Sequence, residues 1–253
     1  FQHTKGPFTR EAFELLEKSD AYLARMLAAY ERAGLLAETA VFVVSDHGFL
    51  PSERQIHPNV LLARAGLLTL REVRDARGET RAAVASWRVI AQPTSGSCAV
   101  YLRDPRDREA LRLAREAFAP YATAEKQSPA TLSDDEGRRM EGRPRPALLH
   151  VVEAAELRRL GANPRAALYL KGRNGSSFGN NLTGDPVTPH KDRGNHGFLP
   201  TLPDYHSSFV ASGAGVTRRG TLGRVDMTSI GPTIARALGL RLRHAESRPL
   251  SLR

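Results

Sequence analysis

Cysteine is nearly absent from this 253-residue chain, with Cys98 the single example. One thiol excludes an intrachain disulfide framework and any thiolate metal cluster. In Cys98-Ala99-Val100-Tyr101-Leu102, a strand-like setting, it reads as a small core residue. Long apolar runs are missing too: no segment approaches the ~20 residues a membrane-spanning helix needs. Concentrated charge is also lacking. Lys and Arg number 37 against 27 Asp and Glu, for a net charge of +10. The basic residues are nonetheless scattered, with small clusters such as Arg138-Arg139 and Arg218-Arg219. Without a basic helix or an aromatic-interleaved stripe, dedicated nucleic-acid binding is not expected. A basic surface also suits a protein that draws in phosphate esters. No internal repeat or low-complexity tract occurs. Phe1 opens the sequence, so any leader segment lies outside it and localisation is not read from it.

What is present is an ordinary globular composition, 41% hydrophobic and 25% charged, long enough for one large domain or a domain plus a lobe. The chain is organised around VFVVSDHGF at residues 41–49. Four apolar, mostly β-branched residues run into Ser-Asp-His-Gly and stop, which predicts a strand buried on both faces. Ligands of open α/β sheets bind beyond the carboxyl ends of strands. Asp46 and His47 there suit a borderline cation such as zinc. A second reading stays open, in which Asp46 caps the next helix and His47 faces solvent.

Ahead of that strand, residues 9–35 predict one long helix, with Thr9 as N-cap and Gly34 as its stop. Phe13, Leu16, Leu23, Met26, Leu27 and Tyr30 fall on one face, interrupted by Asp20. Helix followed by buried strand argues a parallel sheet. Beyond it, a short helix over residues 60–65 ends at Gly66, and residues 67–70 form an edge strand or turn. Residues 71–81 read as a charged surface loop. Strands are expected over 84–91 and 97–102, a helix over 104–122 and an exposed loop over 128–146. Strands over 148–152 and 166–170 follow, with a helix at 153–160 between them. The stretch 207–213 reads as a strand, and Thr228 as N-cap of the last helix. Short strands with polar connections make residues 52–190 look like a lobe inserted into the main fold.

Three imidazoles stand close to glycine in separate segments: His3 in HTKGP, His47 in SDHG and His196 in GNHGF. Glycine beside a ligand lets backbone approach a metal or substrate closely. Together with IHPNVLLARAGLL (56–68), the continuation GFLPTLPDYHSSFVASGAGV (197–216) and VDMTSIGPTIARALGL (225–240), these motifs resemble the alkaline phosphatase superfamily. Within it, the chain is most similar to the bacterial type I phosphodiesterase / nucleotide pyrophosphatase family. The motifs occur in family order over nearly the whole chain.

The resemblance implies an α/β fold: an alkaline-phosphatase-like, mostly parallel sheet flanked by helices, with a small inserted α+β lobe. Residues 1–51 and 191–253 would belong to the core, and 52–190 to the lobe and connecting loops. It also implies two zinc ions held by three Asp and three His, with a Thr or Ser nucleophile between them. Asp46 and His47 would bind the zinc that activates the nucleophile, and His3 and His196 the zinc that activates water. Two cations about 4 Å apart can polarise phosphoryl oxygens and stabilise a leaving oxygen. A covalent phospho-enzyme would split the reaction into two easier steps.

The family pattern departs here at its start, because two of its Asp ligands and the nucleophile belong upstream of Phe1. The resemblance therefore reads the sequence as the C-terminal part of a longer chain, with an open sheet edge and exposed apolar surface. The implied activity is metal-dependent hydrolysis of phosphodiester or pyrophosphate bonds in a small-molecule or nucleotide substrate. A phosphomonoesterase, a phosphonate hydrolase and a non-catalytic remnant that binds anions or a partner are the alternatives. His190 and Asp192 read as flexible-loop residues, with pocket lining as the alternative. His57 reads as solvent-exposed and His206 as structural. Asn180 and Asn181 are minor candidates for substrate contact.

Overall fold

The computed structural model describes residues 1–122, 147–173 and 175–252. The exposed loop expected over 128–146 lies outside the described residues. In chain order the elements are α1 (Gln2–Lys5), α2 (Arg10–Arg32), β1 (Ala40–Val44), β2 (Leu50–Pro51), β3 (Arg54–Ile56), α3 (Pro58–Arg64), β4 (Leu68–Arg74) and β5 (Thr80–Trp87). They continue with β6 (Val89–Pro93), β7 (Ser97–Leu102), α4 (Arg108–Ala122), β8 (Leu149–Glu153), α5 (Ala154–Arg159) and β9 (Leu168–Gly172). The last are β10 (Ser176–Phe178), β11 (Val187–Pro189), β12 (Gly194–Asn195), β13 (Phe209–Gly213) and α6 (Ile230–Ala237). This is a mixed α/β chain. Among the described residues no helix is long and apolar enough to cross a membrane.

The chain forms two compact units, Phe1–Ala12 with His47–His206, and Phe13–Asp46 with Ser207–Arg253. The first holds a four-stranded antiparallel sheet in the order β6-β7-β9-β8. Its apolar positions Val89, Cys98, Val100, Leu149, Leu168 and Leu170 are buried with Phe118 of α4 and Leu62 of α3. Helix α4 starts where Asp107 Oδ1 accepts the Ala110 N–H at 2.9 Å, satisfying an amide that has no partner inside the helix. Asn59 fastens α3 to the sheet: its amide donates to the Ala91 carbonyl and accepts the Ala91 N–H, each at 2.9 Å. Both partners are buried, so these bonds have no water to replace them.

A smaller sheet, β10-β3-β11, carries the only parallel pairing among the described residues, β3 with β10. Residues 71–81, expected as a loop, instead extend a hairpin. Strand β4 runs to Arg74 and β5 starts at Thr80. Asp75 Oδ1 closes the turn by accepting the Arg77 and Glu79 N–H groups. The strand expected over 84–91 is split at Arg88, which pairs with Asp107 at 2.9 Å and Glu109 at 2.8 Å.

Helix α2, all but its first turn in the second unit, matches the predicted helix closely. Thr9 Oγ1 accepts the Ala12 N–H at 3.2 Å, and Leu35 N–H returns to the Tyr30 carbonyl at the other end. The apolar face is another matter, since Phe13, Leu16, Met26 and Tyr30 are all exposed. Strand β1 also differs from expectation: its one partner among the described residues is β13, antiparallel, and Val44 is 50% exposed. An unbroken apolar run predicts strand, but burial on both faces needs layers that the described residues do not supply. Thr228 is not the cap of α6; it sits inside a short 3₁₀ turn, and its hydroxyl bonds to Ser247. Thr233 instead accepts the Leu250 N–H at 2.8 Å and holds the C-terminal tail.

His57, expected in solvent, is only 2% exposed. Its ring lies 3.0 Å from Thr188 Oγ1 and accepts the Asn181 N–H at 3.4 Å, and Gly179 packs against it. Desolvation lowers its pKa from the ordinary 6.5, partly offset by a bond to Gly179. Its contribution to stability is complete above about 6.5, where folded and unfolded forms are both neutral. It is lost as pH falls through the lowered folded value, because the unfolded chain takes up the proton first. Unfolding free energy measured in denaturant is expected to fall between about pH 7 and pH 5, and to fall less in His57→Gln. In the same assay Asn59→Leu is expected to cost at least about 2 kcal/mol, because it strands both buried backbone groups of Ala91.

Candidate functional site

The site is built from three segments of the first unit with little regular structure of their own. His3 sits on the single turn of α1, His47 in the loop before β2, and His196 directly after β12. The β2–β12 pairing, Leu50 with Asn195 and Pro51 with Gly194, draws the last two loops together. His3 is brought in by its own carbonyl, which accepts the Arg193 N–H at 2.7 Å. Rings of His47 and His196 stack with centroids 4.3 Å apart and an interplanar angle of 13°. His3 meets His196 edge-on at 5.2 Å and Phe49 at 4.9 Å. Residues separated by more than 190 positions thus share one spot.

Tyr205 fixes two of the three. Its carbonyl accepts the Gly48 N–H at 3.1 Å and its hydroxyl accepts the Gly197 N–H at 2.8 Å. The ring lies parallel to His47, 6.4 Å away, and edge-on to Phe198 at 5.6 Å. Both glycines are required by this packing. A Cβ on Gly48 would stand 2.4 Å from the Tyr205 carbonyl oxygen. One on Gly197 would stand 1.9 Å from the Thr94 carbonyl, at a φ of 76° that side-chain-bearing residues rarely adopt.

Tautomers follow from the partners. His47 Nδ1 lies 2.8 Å from the Gly48 carbonyl. A carbonyl only accepts, so Nδ1 carries the proton and Nε2 keeps the lone pair a metal would take. His196 is anchored through its backbone, whose N–H donates to Asn195 Oδ1 at 2.9 Å. His3 Nδ1 is buried and makes no hydrogen bond among the described residues; Asp192 Oδ2 lies 3.7 Å away. Asp46 belongs to the second unit, where it follows β1 and is exposed. Ser45 extends the pairing just before it, its hydroxyl accepting the Ser208 N–H at 2.9 Å.

Three imidazoles fit a borderline cation in kind. Their arrangement alone does not close a shell. His47 and His196 stack face to face, and among the described residues no three His, Cys, Asp or Glu side chains form a metal-holding group.

The minor candidates sort cleanly. His190, read as a flexible-loop residue, is held: Nδ1 lies 2.8 Å from Ser52 Oγ and Nε2 lies 4.0 Å from Asp192. Burial pushes its pKa down, while Asp192 pulls it up and His3 pushes it down again. Asn181 serves His57, and Asn180 and His206 are exposed. Tyr205 was not singled out by sequence. Its only signal is a lone tyrosine eight residues after the His-Gly pair. Tyr205→Phe is expected to cost about 1 kcal/mol. Exchange of the Gly197 amide should quicken, while that of Gly48, bonded to a carbonyl the variant keeps, should not.

The profile of the type I phosphodiesterase / nucleotide pyrophosphatase family matches residues 1–199. The fold is similar to that of human ectonucleotide pyrophosphatase / phosphodiesterase 5, with a TM-score of 0.51 at 17% identity, over 84% of this chain and 44% of that one. An inactive variant of the murine counterpart in complex with AMP gives a TM-score of 0.50 at 18% identity, with the same coverage. The chain thus spans less than half the length of these solved structures, and at such identity the likeness concerns the fold alone. No curated protein matches the chain. With its profile covering most of the sequence, the chain belongs to the type I phosphodiesterase / nucleotide pyrophosphatase family.

Proposed function

We propose that this chain forms the metal-binding part of a hydrolase that cleaves phosphodiester or pyrophosphate bonds in small-molecule substrates such as nucleotides. The observation that carries the reading is the gathering of imidazoles from three distant segments around His196, with ring centroids 4.3 Å away for His47 and 5.2 Å away for His3. His3 and His196 would hold one zinc ion, and Asp46 with His47 the other. Bound there, such ions would supply Lewis acidity at the phosphoryl oxygens and the leaving oxygen.

The chain's own residues prepare that role. The Gly48 carbonyl commits His47 to the tautomer with Nε2 unprotonated. Tyr205 holds the His47 and His196 loops at a fixed separation, so ordering entropy is spent on folding rather than at binding. A net charge of +10 favours approach of an anionic ester.

Zinc uptake, followed by mass spectrometry under native conditions, is expected for the chain and expected to fall in His47→Ala and His196→Ala. Phosphodiesterase activity of the protein as expressed from its own gene should vanish with chelator and return with zinc. Comparison of aryl diester, monoester and sulfate substrates should favour the diester. Activity that survives the joint loss of Asp46 and His47 would overturn the proposal.

A further inference from the structure

Four side chains run inward from His3 in a line the proposed chemistry does not use. Asp192 Oδ2 lies 3.7 Å from His3 Nδ1 and 4.0 Å from His190 Nε2, so one carboxylate oxygen faces two imidazoles. On its far side His190 Nδ1 meets Ser52 Oγ at 2.8 Å, and Ser52 Oγ is 3.1 Å from Ser177 Oγ. Ser52 and Ser177 are buried to 1% and 0% exposure, so His190 is moored to the interior. The backbone around Asp192 is held from three sides. His190 N–H donates to the Glu53 carbonyl at 2.8 Å, the Arg193 carbonyl accepts the Ser52 N–H at 3.0 Å, and Arg193 N–H donates to the His3 carbonyl at 2.7 Å. Asp192 is therefore a placed carboxylate between two rings.

From this geometry we infer that Asp192 is a positioning residue for His3: its charge, facing Nδ1 from 3.7 Å, draws the proton onto that nitrogen and leaves Nε2 as the one that can take a cation. The inference rests on the reading of His3 as a metal ligand. His47 reaches the same state by a different route, its Nδ1 facing the Gly48 carbonyl. A carboxylate or carbonyl behind a ligating imidazole orients the ring and raises its basicity, and its loss typically weakens metal affinity 10–100-fold. Asp192 is half-exposed, and an ion pair there adds little to stability on its own. Its effect lies in which nitrogen of His3 bears the proton.

The decisive measurement is long-range 1H–15N correlation on the metal-free chain labelled at histidine nitrogen, near pH 8 where imidazoles are neutral. Loss of one spin system in His3→Gln identifies His3 among the 8 histidines. The expected result is the Nδ1–H tautomer for His3, a shift toward Nε2–H in Asp192→Ala, and partial retention in Asp192→Asn, whose amide oxygen still accepts. An Nε2–H tautomer in the unaltered chain, or one that Asp192→Ala leaves unchanged, overturns the inference. The unaltered chain alone decides the first point, so a variant that failed to fold would not shelter the idea. Zinc competition with a chelator is read separately, with a 10–100-fold weaker affinity expected for Asp192→Ala. No zinc uptake by a chain whose His3 is Nδ1–H would count against the metal reading and leave the placement of the proton standing.

Discussion

Two of the three imidazoles at the candidate site depend on one tyrosine that makes three different contacts at once. The loops that carry His47 and His196 have almost no secondary structure, so neither can hold its imidazole by a ladder of backbone bonds. Tyr205 replaces that ladder: its carbonyl and its ring hold the segment of His47 and Gly48, and its hydroxyl holds the segment of Gly197. Phe198 then carries the arrangement toward the main sheet of the first unit, lying so close over Gly96, in the turn between β6 and β7, that a Cβ there would fall 2.3 Å from its ring. The imidazoles are in this way referred back to the packed sheet β6-β7-β9-β8, although none of them is on it. Each contact is worth only about 1 kcal/mol. Their value is in fixing separation and ring angle together.

Burial treats the imidazoles of the first unit unequally. His57 is sealed among Thr188, Asn181 and Gly179, and its neutral state is a requirement of packing. His190 is nearly as enclosed, yet a carboxylate stands beside it and opposes the effect of burial. His3, His47 and His196 sit at intermediate exposure, where a ring can be held by protein on one side and meet a ligand on the other. The gradient from sealed to half-open runs along the same backbone that joins β3, β11 and β12.

The sequence made the imidazoles legible because glycine close to histidine is a local pattern with a local cause, close backbone approach. It made α2 legible for the same reason, through Thr9 at one end and Gly34 at the other. Burial was not legible in the same way. The run at residues 41–44 is as apolar as a central strand, but its exposure is set by what lies against it, and hydropathy carries no record of that. His57 shows the converse, a polar residue in a polar stretch that tertiary packing encloses completely. The hairpin of β4 and β5 was hidden by charge, since Arg71, Glu72 and Arg74 lie on strand positions that pair through backbone and leave side chains in water. Tyr205 and Asp192 act through partners far away in sequence, and no window along the chain contains both ends of those contacts.

Cys98 completes the account of the first unit. It lies on β7, hydrogen-bonded between β6 and β9, with no exposed surface and a thiol that burial pushes well above its usual range. A thiol in that state is inert to alkylating and disulfide reagents, which need the accessible thiolate. With no other sulfhydryl in the chain, any covalent labelling must wait for the central strands to separate. The native sequence therefore carries its own stopwatch for opening of the sheet, with no engineered probe and no background from a second site.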